Sequence, residues 1–260
     1  MGHRIPLNLR LGAGEAILGM TVQLTSTDIV ELVALAGYDF VMIDAEHGAL
    51  DVPAVARLIL AADARGLAAM VRVPDSTPSF ISRVMDAGAA GVVVPNVRTR
   101  QQAQEAVNAC HLPPIGRRGA CATARAADFG SRAWNEYAEA QPRESMVWLL
   151  IEDAQGLDHV EEILSVSGIA AVGLGAFDLA QSLGVPGQMT HKQVRAGFDR
   201  LNASARTRGI PMLSVPAAEP GGVQGAMRRG ARVLLDGFDA QLILAAFRER
   251  RLRIHEAFTS

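Results

Sequence analysis

Several short stretches place ionisable side chains directly against apolar sequence. The first is Ile43-Asp44-Ala45-Glu46-His47-Gly48. Two carboxylates and an imidazole within four positions follow an apolar run, and burying such groups without partners is costly. His47 beside a carboxylate has the makings of a proton-transferring base, and Asp44 is taken together with it. Glu46, taken alone, is expected in a solvated loop. The second stretch is Val71-Arg72-Val73-Pro74. A guanidinium among valines suits bidentate binding of a substrate carboxylate, with an ion pair to a neighbouring Asp as the competing expectation. Two further apolar runs, Val147 to Ile151 and Ala171 to Gly175, lead to Glu152-Asp153 and to Asp178. If these runs are neighbouring strands, about 4.8 Å apart, their terminal carboxylates can share one divalent cation, Mg2+, Mn2+ or Co2+. The structural alternatives are that Glu152 and Asp153 sit in the first turn of a helix and that Asp178 is a helix N-cap. Asp86, at the end of a helical pattern, reads as a surface carboxylate.

Positioning these groups requires a scaffold, and the rest of the chain supplies its pattern. Short apolar runs at Ile17–Leu24, Phe40–Ile43, Ala68–Val73, Gly91–Val94, Met146–Ile151, Ala170–Leu174, Ile210–Leu213 and Arg232–Leu235 predict strands. Amphipathic segments between them predict helices: Thr27–Ala36, Val52–Arg65, Pro78–Ala87, Arg100–Ala109, Leu157–Ser165, His191–Arg208, Gly222–Arg229 and a final Ala240–Ala257. Continuous apolar strands alternating with helices predict βα units and a parallel sheet. Eight units predict a single (β/α)8 TIM barrel over residues 1–260, with catalytic groups at the C-terminal ends of the strands. A doubly wound sheet is the alternative, but no GxGxxG follows the first strand. Gly37, Gly66, Gly88, Gly209 and Gly230 stand where helices should stop. A long stretch, 111–145, breaks the alternation and is expected to be an ordered lid or interface loop.

Composition narrows the function classes. With 25 basic and 27 acidic residues and no basic run, nucleic acid is not an expected partner. Cys110 and Cys121 lack CxxC spacing, which fits reduced thiols in a cytoplasmic protein. Met1 to Arg10 is polar, so no signal peptide is expected, and no apolar run is long enough to span a membrane.

In order along the chain, Asp44-Ala-Glu-His47-Gly, Val71-Arg72-Val-Pro74, Pro113-Pro-x-Gly116-x-Arg118-Gly119 with Ala124-Arg125-Ala126, Ile151-Glu152, and Gly175-x-x-Asp178-Leu179 with Ser182-Leu183-Gly184 resemble the HpcH/HpaI family of metal-dependent pyruvate aldolases. The resemblance runs from about Leu18 to Asp236. It implies metal ligation by Glu152 and Asp178, and binding of the pyruvate carboxylate or enolate oxygen by Arg72. It implies a His47 base with Asp44 and Asp86 as its acidic partners, and backbone amides near Gly175 and Ala176 that seat the carboxylate. It also implies a homo-oligomer, often hexameric, in which the last helix packs on a neighbour.

The sequence departs from the family pattern at Leu150, commonly Gln, and at Gly175-Ala176-Phe177-Asp178, where Pro is commonly present before Phe177. Leu150 and Phe177 therefore line the acceptor side with altered polarity and shape. The expected activity is a carbon–carbon lyase making or cleaving 4-hydroxy-2-oxoacids from small 2-oxoacids and aldehydes. An apolar residue at position 150 and Asp178-Leu-Ala-Gln181-Ser-Leu-Gly-Val-Pro186 also resemble the aldolase-fold citrate synthase of siderophore clusters, which condenses oxaloacetate with acetyl-CoA. A non-catalytic barrel scaffold is a third possibility, disfavoured by the retained His47, Arg72, Glu152 and Asp178.

Overall fold

A computed structural model describes residues 6–216 and 221–259. Positions 1–5, half of the polar N-terminal stretch, and 217–220 lie outside the described residues. Strands β1 (Ile17–Val22), β2 (Phe40–Asp44), β3 (Ala68–Arg72), β4 (Gly91–Val94), β5 (Met146–Ile151), β6 (Ile169–Leu174), β7 (Met212–Ser214) and β8 (Ala231–Phe238) pair in parallel in chain order. The β8 strand pairs back to β1, so the sheet closes as a (β/α)8 barrel and the open doubly wound alternative is excluded.

Helix α1 (Leu7–Gly12) precedes the first strand. Around the barrel run α2 (Thr27–Leu35), α3 (Val52–Ala64), α4 (Pro78–Asp86), α5 (Arg100–Cys110), α6 (Trp134–Glu144), α7 (Ala154–Asp158), α8 (Val160–Ile163), α9 (Ala176–Ser182), α10 (Lys192–Thr207), α11 (Gly222–Arg228) and α12 (Asp239–Thr259). Local signals set several boundaries. Thr99 and Gln102 form a capping box at the start of α5, and the Asp51 carboxylate caps α3. The five glycines expected to stop helices all adopt positive φ there, from 65° to 99°.

Alternation along each strand produces two apolar layers. Phe40, Met42, Met70, Val93, Trp148, Leu150 and Leu213 fill the barrel interior. Val41, Ile43, Val71, Val92, Leu149 and Ile151 face the surrounding helices. Trp148 and Phe40 meet edge to face, with ring centroids 5.2 Å apart. A Cβ at Gly19 would stand 2.3 Å from the Phe40 ring, so the missing side chain leaves that ring its space.

Two expectations are corrected. The first strand stops at Val22 and not Leu24, because the N–H groups of Gln23 and Leu24 donate to the buried Asp239 carboxylate. The 111–145 stretch is ordered but not a loop throughout: it contains a 3-10 segment at Arg125–Gly130 and helix α6. It joins the end of α5 to the start of β5, at the end of the barrel where strands begin. There Arg125 donates to the Ala87 carbonyl and pairs with Asp63. It therefore cannot be a lid over this chain's own catalytic mouth. Among the described residues no helix is long and apolar enough to cross a membrane.

Candidate active site

The inward-facing row of each strand delivers the chemistry to the mouth. Phe40 and Met42 point inward, so Asp44, two positions on, does as well. Met70 leads in the same way to Arg72, and Trp148 and Leu150 lead to Glu152. Asp44 and Arg72 are register partners on adjacent strands. Arg72 Nε donates to Asp44 Oδ1 at 2.9 Å and Nη2 donates to Oδ2 at 2.7 Å. Asp44 is fully buried and also accepts from Gln23 Nε2 at 2.8 Å and from the main-chain N–H groups of Glu46 and His47. Burial alone would raise the Asp44 pKa, but its bonds to Arg72 outweigh that and hold it below the usual carboxylate range. For Arg72 burial acts downward, and Asp44 and Glu46 overcome it, so its pKa is raised.

Glu46 is not the solvated residue expected from sequence. Its side chain is 11% exposed, and Oε2 lies 3.2 Å from Arg72 Nη1 and 3.6 Å from His47 Nε2. The Arg72 contact is within ion-pair range but not aligned as a hydrogen bond, and Glu46 Oε2 has no hydrogen-bond donor. Burial, with Asp44 and Asp178 nearby, pushes the Glu46 pKa up against the pull of Arg72. The carboxylate beside the His47 ring is therefore Glu46, while Asp44 bonds the His47 backbone and is committed to Arg72. The His47 side chain is 58% exposed, free to meet a ligand.

Glu152 is buried, and its Oε2 accepts the Asn96 N–H at 2.7 Å. Burial is the largest influence on it, and the charges of Glu46 and Asp178 add to it. Asn96 and Arg72 oppose them too weakly, and the pKa is pushed up to about 7. Asp178 is exposed on the first turn of α9, not its N-cap, which is Gly175. A Cβ at Gly175 would fall 2.4 Å from Glu152 Oε1, so a glycine is what lets Glu152 lie against the start of α9. The Gly175 N–H donates to the Ile151 carbonyl, so that amide is occupied within the fold and is not free to seat a carboxylate. Asp153 does not lie in the first turn of a helix but is the N-cap of α7, accepting the Gly156 N–H. Among the described residues no group of three or more His, Cys, Asp or Glu is arranged to hold a metal ion; the candidate pair is Glu152 with Asp178, whose charge acts on it. The buried Glu152 carboxylate, lying against a glycine with the exposed Asp178 charge nearby, offers oxygen donors that fit a hard divalent cation.

The mouth thus brings together Asp44, Glu46, His47, Arg72, Glu152 and Asp178. Leu150 lies two residues below Glu152 in the interior layer, and Phe177 stands 57% exposed next to Asp178. Asp86 is not brought there. It ends α4, which runs back toward the start of β4, and it pairs with the buried Arg118 at 3.4 Å. The expectation that Asp86 orients His47 is therefore not met within one chain. Sequence reasoning missed Gln23, Asn96 and the part played by Glu46. Strand alternation offered a signal only for Gln23, two positions beyond the inward-facing Thr21.

Comparison with known proteins shows the family and the fold. The sequence model of the HpcH/HpaI aldolase/citrate lyase family matches residues 18–246. A hydroxypyruvate/pyruvate aldolase of Roseobacter denitrificans is 31% identical over 247 residues, covering 92% of this chain and 94% of that protein. The crystal structure of an HpcH/HpaI aldolase from Desulfitobacterium hafniense superposes with a TM-score of 0.90 at 28% identity, covering 97% and 98% of the two chains. The citrate synthase SbnG superposes with a TM-score of 0.89 at 27% identity, covering 99% and 100%. The chain is an enzyme, a carbon–carbon lyase of the aldolase type, and belongs to the HpcH/HpaI aldolase/citrate lyase family.

Proposed function

We propose that this enzyme is a divalent-metal-dependent aldolase that makes or cleaves 4-hydroxy-2-oxoacids through the enolate of pyruvate or hydroxypyruvate. The observation that carries this reading is the buried Glu152, packed against the Gly175 start of α9 with the charges of Glu46 and Asp178 acting on it. Negative charge at the mouth beyond what Arg72 balances is relieved by a cation. Glu152 and Asp178 would hold Mg2+, Mn2+ or Co2+, which when bound supplies Lewis acidity to a 2-oxoacid. Arg72, fixed by Asp44, binds the substrate carboxylate or balances charge growing on the enolate oxygen. In the cleavage direction the 4-hydroxyl gives its proton to His47, directly or through water, and the C3–C4 bond breaks to release the aldehyde. The electron pair left behind forms the enolate, and His47 delivers a proton to its C3, directly or through water. Gly175 and Ala176 shape the carboxylate end, and Leu150 and Phe177 line the acceptor side. The test is a screen of pyruvate and hydroxypyruvate against a panel of aldehydes, with and without added metal. Turnover should vanish with EDTA and return with Mn2+. Turnover that survives full chelation sinks the proposal.

A second reading is condensation of oxaloacetate with acetyl-CoA. The likeness to SbnG and the apolar Leu150 favour it. Release of free thiol from acetyl-CoA only when oxaloacetate is present would place it first.

The active assembly in this proposal is a cytoplasmic homo-oligomer acting on small molecules. Helix α12 exposes Leu242, Leu244, Phe247, Leu252 and Ile254, an apolar surface of the kind partners cover. Asp86 retains its family-implied role only between copies, because one chain holds it and His47 at opposite barrel ends. Mixing inactive His47→Ala and Asp86→Asn proteins should then recover activity, up to about a quarter of the sites for random two-fold pairing. No recovery after proven subunit exchange removes Asp86 from the mechanism.

A further inference from the structure

Asn96 follows β4 with φ at 54°, in the left-handed region without glycine's freedom. Non-glycine residues held there collect at functional sites, where the surroundings enforce the conformation. The twist aims two groups of one residue at two carboxylates. Its main-chain N–H lies 2.7 Å from Glu152 Oε2, and its side-chain Nδ2 lies 3.3 Å from Glu46 Oε1. These carboxylates come from opposite sides of Asn96, one beyond β2 and one beyond β5, and the charge of Glu46 adds to the burial that raises the Glu152 pKa. Glu46 is thereby held with its second oxygen, Oε2, buried, facing Arg72 and His47, and without any donor. A buried carboxylate oxygen with no donor is an open acceptor.

We propose that Asn96 is a positioning residue for the cation centre, locking Glu46 as an acceptor outside the ligand set for a water or substrate hydroxyl held at Glu152 and Asp178. The inference rests on the cation reading above. In this proposal Glu46 acts on the centre through a hydrogen bond and not as a ligand, since its Oε1 takes the Asn96 amide and its Oε2 faces Arg72 and His47. Groups one step removed from a metal orient what the ligands hold, and losing one typically weakens metal affinity about 10- to 100-fold.

Glycine at position 96 separates the two halves of the clamp. It keeps the main-chain N–H and adopts positive φ without strain, so Glu152 stays held, but it has no amide for Glu46. The experiment measures Mn2+ affinity by electron paramagnetic resonance on the full chain as wild type, Asn96→Gly, Glu46→Gln and the double variant. A Glu152→Ala/Asp178→Ala protein is the blank, and Tm is recorded for each. Asn96→Gly should bind Mn2+ about tenfold more weakly at an unchanged or higher Tm, the opposite of what loss of a structural residue does. The double variant should bind no more weakly than Glu46→Gln, because Asn96 acts through Glu46. Wild-type affinity in Asn96→Gly, or losses that multiply in the double variant, would overturn the inference while leaving the cation reading intact. A wild-type protein that binds Mn2+ no better than the blank overturns both.

Discussion

Arg72 and Asp44 are register partners on adjacent strands, joined by two parallel hydrogen bonds of 2.9 and 2.7 Å. With both side chains buried, the pair fixes a guanidinium at the barrel mouth that could not otherwise remain there. Asp44→Asn removes the doubly hydrogen-bonded partner of Arg72 and leaves only Glu46, 3.2 Å away, to balance its charge. It should lower unfolding free energy by about 3 kcal/mol, the usual range for breaking a buried pair. Urea denaturation followed by circular dichroism measures this, and a loss below about 0.5 kcal/mol would show the pair to be dispensable.

The raised pKa of Glu152 has a definite sign in stability. Its native carboxyl holds a proton more tightly than the unfolded chain does. The stabilisation is therefore fully present below the ordinary value of 4.5 and is lost as pH rises through about 7. Metal-free protein should lose up to about 3 kcal/mol between pH 5 and pH 8 from this group alone. Glu152→Gln should flatten that slope, and Mn2+ should restore the wild-type protein at pH 8. Asp44 acts oppositely: its lowered pKa contributes stability above its ordinary 3.8 that disappears as pH falls below that value. A wild-type slope identical to that of Glu152→Gln would refute the assignment.

Gly175→Ala places a methyl group where Glu152 Oε1 now lies, at 2.4 Å. The carboxylate must move, and a displacement near 1 Å at a reacting centre costs about 100-fold in rate. Turnover should fall by that order with little change in the far-ultraviolet spectrum. Full activity in this variant would mean that the Glu152 position is not critical.

The exposed apolar side chains of α12 should lie at an interface. Phe247, 69% exposed, is its test position. Phe247→Glu should shift the protein to smaller species in sedimentation velocity while the circular dichroism spectrum is retained. A wild-type sedimentation profile in the variant argues that this helix contacts no other copy at Phe247.

Much of this protein is determined locally. Apolar runs of strand length, helix stops at Gly37, Gly66, Gly88, Gly209 and Gly230, and the period-two alternation that carries Asp44, Arg72 and Glu152 inward are all properties of neighbouring residues. The barrel and the ends of its strands could therefore be anticipated from the sequence, and the order of the family's motifs pointed to the chemistry. Other features depend on distant segments meeting in space. Glu46 is partly buried because Arg72 and Asn96, from β3 and from the end of β4, close over it. The first strand ends early because Asp239 takes its amides from the far end of the chain. Asp86 is separated from His47 because α4 runs antiparallel to its strand, a direction that a motif in the linear sequence does not carry. Charge and hydrophobic pattern along the chain decide which groups can react. The three-dimensional closure of the barrel decides which of them share a dielectric and a partner, and so which of them do.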